Sequence, residues 1–243
     1  MAEYGFSAIN NQLSVVISNR YKVLVFSERS QFNIRSSKTD ANGYGAATFA
    51  KVVRSQEAPQ IFVRVVSASH PNLGLYITIL GSPGAWTGFR VTSAARGGST
   101  LQNHVVEFVV CKFTDSYNSQ VYGSEVRGEN NEPVYSSADK VVKFSRFTKA
   151  WTKLNGSGVD EYKSNMVIEG DDFVSISSFD RGVSWFMRGA RYAGLTILDA
   201  GAPALIIFVT KDTSMGPWFW QGINNTNFSI PICKFPPSRY ANT

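Results

Sequence analysis

Apolar residues in this chain come in short runs closed off by glycine, proline, asparagine and serine, and nowhere does a 3.6-residue apolar period persist. The pattern predicts short strands. In the first half these are Gly5–Ile9, Val15–Ser18, Tyr21–Ser27, Ile61–Val66, Leu75–Leu80, Phe89–Thr92 and Val105–Phe113. In the second half they are Ser124–Arg127, Val134–Tyr135, Lys140–Phe144, Phe173–Ser177, Ser184–Met187, Leu195–Leu198 and Leu205–Thr210. Residues 30–58 and 153–171 read as matched long loops, 115–121 as a linker, and the tail after Phe235 as extended or loose.

The strand list divides into two halves because the chain repeats itself. Tyr4 to Ser27 aligns without a gap on Tyr122 to Ser145, with eight identities in 24 pairs at an offset of 118. Average composition would give roughly one or two. Tyr4, Gly5, Val16, Ser18, Lys22, Val23, Phe26 and Ser27 meet Tyr122, Gly123, Val134, Ser136, Lys140, Val141, Phe144 and Ser145. Inside each copy an asparagine pair, Asn10-Asn11 or Asn130-Asn131, falls between the first two strands and predicts a tight hairpin, since asparagine tolerates left-handed backbone. Ala138, Val141, Val142 and Trp151 could be forced onto a helix, but the matched copy, YKVLVF, is strongly β in character. Weaker matches follow in order: Ile61–Ser67 with Asp172–Ser178, Trp86–Ala94 with Tyr192–Ala200, and HVVEFVV with ALIIFVT. Collinear duplication implies an all-β chain of two tandem β-sandwich domains, immunoglobulin- or fibronectin-like, at 1–116 and 117–243.

Composition agrees with strands and changes little else. The chain has 243 residues, 43% hydrophobic and 17% charged, enough for a core in each half. A net charge of +6 is mild, and its densest basic set, Lys140, Lys143, Arg146, Lys149 and Lys153, is spaced by apolar residues as on a half-exposed strand. Nucleic-acid binding asks for basic residues gathered on one face with reading elements, and none is expected here. Cys111 and Cys233 sit in apolar strand contexts and read as buried thiols. The N-terminus has no secretory pattern and no run approaches 18 apolar residues, so neither export nor membrane insertion is expected.

Candidate chemistry is sparse. The two histidines, His70 and His104, lie in a loop and at a strand start, with no nucleophile elbow or metal motif near them in sequence. Glu169, Asp171 and Asp172 form the tightest acidic cluster and read as a solvated loop, with a calcium loop as the alternative. No catalytic, cofactor-binding or metal residues are assigned, no cofactor is expected, and the protein is not read as an enzyme. Trp218, Phe219 and Trp220 are three consecutive aromatics that must face both sides of a strand. Together with Trp86 and Tyr192 they are the candidate interface or ligand contacts.

The repeated stretch resembles a family of small tailed-bacteriophage tail proteins, whose chains carry the pattern Y-G-(L/F)-x-(V/A)-x-N, then (V/I)-x-S, then a basic residue and a β-rich run. The first copy fits through Tyr4, Gly5, Phe6, Ala8, Asn10, Ile17, Ser18, Lys22 and Val23. The second fits through Tyr122, Gly123, Val126, Asn130, Ser136, Lys140 and Val141, departing at Ser124 where Leu or Phe is usual. The resemblance covers about 24 residues of each half and brings no catalytic residues with it. It implies a virion structural role in the tail tip, baseplate or fibre, assembled in the host cytoplasm. The implied partners are other tail proteins and further copies in threefold or sixfold symmetry about the tail axis. The alternative is a tail module that recognises a host-surface receptor or glycan.

Overall fold

The structure is a computed structural model and describes residues 7–9, 15–18, 22–36, 43–94, 102–115, 123–154, 159–177, 194–210 and 229–242. Among these residues it is all-β. The strands are β1 (Ser7–Ile9), β2 (Val15–Ser18), β3 (Leu24–Ser36), β4 (Gly43–Val53), β5 (Gln60–Ala68), β6 (Leu73–Ser82), β7 (Ala85–Ala94) and β8 (Asn103–Phe113) in the first half. The second half has β9 (Glu125–Arg127), β10 (Pro133–Ser136), β11 (Arg146–Phe147), β12 (Trp151–Leu154), β13 (Val159–Ser164), β14 (Asp172–Ser175), β15 (Gly194–Asp199), β16 (Ala202–Thr210) and β17 (Pro231–Lys234). Two hairpins, β1–β2 and β9–β10, stand apart from a 13-stranded antiparallel sheet of order β11-β17-β14-β5-β8-β3-β4-β7-β6-β15-β16-β13-β12.

The repeat is reproduced in the hydrogen-bond register. In β1–β2 the partners are Ser7↔Ser18, Ala8↔Ile17 and Ile9↔Val15. In β9–β10 they are Glu125↔Ser136, Val126↔Tyr135 and Arg127↔Pro133, each residue 118 further on, with the irregularity at the same place. The asparagine expected to turn the second hairpin does so: Asn131 has φ 63°. The correspondence continues around the sheet. Glu28↔Val110 and Arg29↔Val109 in β3–β8 become Arg146↔Ile232 and Phe147↔Pro231 in β11–β17. Gly43↔Ser93 and Tyr44↔Thr92 in β4–β7 become Val159↔Thr210 and Asp160↔Val209 in β13–β16. The β6–β7 and β15–β16 turns also match. Ser82↔Ala85 and Asp199↔Ala202 each enclose two residues, and Gly84 (φ 80°) and Gly201 (φ 82°) hold left-handed backbone that costs glycine no Cβ clash.

The counterparts are therefore β3 with β11 plus β12, β4 with β13, β5 with β14, β6 with β15, β7 with β16 and β8 with β17. The sequence matches for Trp86–Ala94 and HVVEFVV slip by one strand; the shared Cys-Lys-Phe at 111–113 and 233–235 marks the right partner for β8. The sheet order becomes a palindrome. One run, β3-β8-β5 and β14-β17-β11, meets at β5–β14 through Phe62↔Ser175 and Val63↔Val174. The other, β4-β7-β6 and β15-β16-β13, meets at β6–β15 through Leu75↔Leu195 and Gly74↔Thr196. The ladder thus crosses the expected boundary between 1–116 and 117–243 at two places.

The two runs face each other as layers. Phe89 on β7 and Phe108 on β8 are three strand positions apart, about 14 Å in a flat sheet, yet their rings lie 5.1 Å apart, edge to face. The ends of the sheet also come round to each other, since β11 and β12 are separated only by residues 148–150, a reach of at most about 14 Å. Strand alternation fills both faces. Val106, Phe108 and Val110 of β8 enter the inner core with Ile61, Val63, Val174, Leu195 and Ile232. Val109 and Cys111 turn outward into a second core with Phe62, Phe173, Cys233, Phe235 and Tyr240. Cys111 and Cys233 are both buried and neither is in a disulfide, as their apolar contexts suggest.

Four expectations are corrected. The strand expected at Lys140–Phe144 is reduced to an isolated bridge between Val141 and Val25, and β11 begins only at Arg146. Residues 30–58 are mostly β3 and β4, and 153–171 includes β13, not loops. The missed strands are polar on one face, as in RSQFNIRS, or built from small residues, as in GYGAATFA, so their apolar signal is weak. The tail is not loose. Tyr240 is 2% exposed, its ring 5.1 Å from Phe235 and 5.7 Å from Phe26, and its hydroxyl donates to the Val141 carbonyl at 2.9 Å. The strand expected at Ser184–Met187 lies outside the described residues.

Because each layer is completed by both halves, unfolding is expected as one cooperative transition. Leu75→Ala and Leu195→Ala should each cost about 2–5 kcal/mol and, being directly opposed, should couple by about 0.5–3 kcal/mol in a double-mutant cycle. Denaturant melts resolving two independent transitions would contradict the shared-layer architecture.

Candidate functional site

The densest assembly of charged side chains lies on the outward face of the layer β3-β8-β5-β14-β17. Glu107 projects there because it sits out of phase with Val106 and Phe108, which point inward. Arg29 from β3 and Arg64 from β5 both reach it, Arg64 at 2.5 Å. The two guanidinium groups lie over the Phe173 ring of β14, at 5.4 and 5.2 Å from its centroid. Burial opposes ionisation of Glu107, but the hydrogen bonds from Arg29 and Arg64 outweigh it and hold the carboxyl below its usual range. Arg29 also donates to the Phe235 carbonyl at 2.8 Å, and its backbone exchanges two 2.8 Å hydrogen bonds with the Asn242 carboxamide.

Beside this group is the acidic loop Glu169–Asp172. Lys234 of β17 pairs with Glu169 and, at 2.8 Å, with Asp171, which pulls the Asp171 pKa down and the Lys234 pKa up. Arg146 of β11 pairs with Asp172, which is buried and also accepts from the Glu169 backbone N–H at 2.7 Å. The three acids bring carboxylate oxygens within 4.8 Å of one another. Two protein cations already occupy the positions a metal ion would take, so the cluster is an ion-pair lattice. The first-half triad crosses the β5–β14 seam by lying over Phe173 and, through Arg64, by donating to the Gly170 carbonyl of the acidic loop at 3.4 Å.

A cleft of about 460 Å³ opens next to it, walled by Arg64 to Pro71, by Glu169, Gly170 and Asp172, and by Leu198, Gly201 and Pro203. One buried oxygen of Asp172, Oδ1, has no hydrogen-bond partner. No Phe, Tyr or Trp lines the cleft among the described residues.

The sequence-nominated contacts are placed as follows. Trp86 on β7 is half-buried against the inner core, and its Nε1–H donates to the Ser55 carbonyl at 3.0 Å. Tyr192, Trp218, Phe219 and Trp220 lie outside the described residues. His70 organises its own loop, its Nδ1 accepting from the Asn72 N–H at 3.0 Å. His104 is fully buried, with Nε2 2.7 Å from Gln102 Oε1. Burial, helped by the charges of His70 and Arg35, lowers its pKa to about 4. Burial likewise raises the Cys111 thiol well above its usual range and Cys233 to about 11, so both are held as thiols. Sequence reading missed Arg29, Arg64 and Glu107, although a single Glu inside HVVEFVVC was a usable signal for a paired charge on a covered face.

No protein-family model, curated protein or solved structure matches the chain.

The pKa of His104 fixes a pH dependence. Unfolded chain takes up a proton below about pH 6.5, whereas the folded protein resists it down to about 4. The contribution is complete above pH 6.5 and is lost as pH falls from there toward 4, with a slope approaching about 1.4 kcal/mol per pH unit. His104→Gln, which can still donate to Gln102, should flatten the stability difference between pH 7 and pH 5. Equal slopes for both proteins would show that His104 is not buried neutral.

Proposed function

We propose that this protein is a structural component of a bacteriophage tail, in the tip, baseplate or fibre, working through protein–protein contacts in an oligomeric assembly. The observation that carries the reading is the tail-protein signature itself. Its two copies take one hairpin register, and their following segments pair with each other. Val25 bridges Val141, with hydrogen bonds Phe26 N–H to Lys140 O at 2.9 Å and Val142 N–H to Leu24 O at 3.0 Å. Among the described residues, signature positions such as Ala8 and Ser18 and their counterparts Val126 and Ser136 thus take matching hairpin places. In this reading each half is a β-sandwich module duplicated in tandem, with strands from both merged into each layer. Arg29 and Arg64 of the first half lie over Phe173 of the second, and Arg29 donates to the Phe235 carbonyl, so these charged side chains help to bind the halves together, which suits a part that must stay rigid.

The test is quantitative mass spectrometry of extensively washed phage particles. The chain is expected in the particle, at a copy number per tail divisible by three. Its absence from intact particles, with presence only in the lysate, would overturn the proposal.

A further inference from the structure

The two copies of the signature differ in what covers their shared phenylalanine. Phe26, in the first copy, is 8% exposed and lies under Tyr240. Phe144, its counterpart 118 residues on, is 42% exposed. Its ring lies 5.3 Å from that of Phe147, itself 37% exposed, at a shallow 33° tilt. Phe147 is on β11, the end strand of its layer, which among the described residues pairs only with β17, and Phe144 lies just before that strand. Isolated apolar side chains on a surface are ordinary, but grouped aromatics at a strand edge are a recurring sign of a contact.

Charge decides what kind of contact. Arg146 is committed to Asp172, but Lys143 and Lys149, both exposed, make no ion pair among the described residues. A second copy docked face to face would bring four lysines together, which is unfavourable. An acidic partner would be attracted and held in register. The first copy shows what fills such a position, since an aromatic ring from the turn that follows β17 covers Phe26.

We infer that Phe144 and Phe147, flanked by Lys143 and Lys149, form the docking surface for an acidic, aromatic-bearing segment of a different protein. The inference rests on the proposed tail role only for where that neighbour is found. Two double variants of the full chain, Phe144→Ser/Phe147→Ser and Lys143→Glu/Lys149→Glu, would be introduced into the phage and the copies per purified particle counted. Val52→Ser, exposed on β4 and remote from the patch in sequence, serves as control. Both double variants should melt within a few degrees of the unaltered protein and fall at least tenfold in the particle, with the control unchanged. Incorporation of either double variant at the unaltered level would overturn the inference while leaving the tail role standing. Absence of the unaltered chain would instead remove the tail role. Native mass spectrometry supplies a second arm. A dimer of the purified chain that Phe144→Ser/Phe147→Ser dissociates would assign the patch to a second copy and overturn the acidic-partner assignment.

Discussion

The fold depends on how each half satisfies the open edges of the other. Left alone, the first half would expose the outer edges of β5 and β6, two rows of unpaired N–H and C=O groups at the margins of two layers. The second half carries the same two edges on β14 and β15. Pairing β5 with β14 and β6 with β15 removes all four, and it does so antiparallel, as two copies related by a twofold rotation must. The single inner core follows, because Val63, Val174, Leu75 and Leu195 at the seams belong to the same cluster as Phe89 and Phe108 in the middle of the first half.

The outer face reinforces the same seam by a different force. Glu107, Arg29 and Arg64 stand over Phe173, so a first-half ion triad rests on a second-half ring. Partly buried charges of this kind contribute little net stability compared with apolar replacements, but removing one partner is expensive because its neighbours are left unpaired. The triad therefore acts less as a source of stability than as a specification of which strands meet. Register matters at β5–β14 because a one-residue slip of β14 would send Phe173 inward and Val174 outward.

All-β character, both hairpins and the duplication were legible because each rests on local signals: alternating apolar residues, asparagine turns, and a 24-residue repeat with eight identities. The assembly of the halves was not. Nothing in IFVRVVS says whether its free edge meets a strand of its own half or of the other, since edge pairing is decided by long-range geometry. The slip in matching β7 and β8 has a similar source. HVVEFVV and ALIIFVT are alike because both are buried strands, which is composition, whereas Cys-Lys-Phe at 111–113 and 233–235 is alike because it occupies the same place. Charged partners such as Arg64 and Glu107 lie 43 residues apart, and no short-range pattern joins them.

Symmetry also sharpens where function belongs. Positions the two copies share and bury alike, such as Leu24 and Val142, serve the fold. A position they share but bury differently has been released from that duty. Phe26 and Phe144 are such a pair, and they differ because the chain follows different paths after them. β3 continues unbroken for 13 residues, whereas its counterpart breaks into β11 and β12 around residues 148–150. The break is what lets the second copy serve both layers at the closing corner of the sheet. The same break leaves Phe144 and Phe147 facing outward at a strand end, so the step that closes the fold also creates its most apolar exposed edge among the described residues.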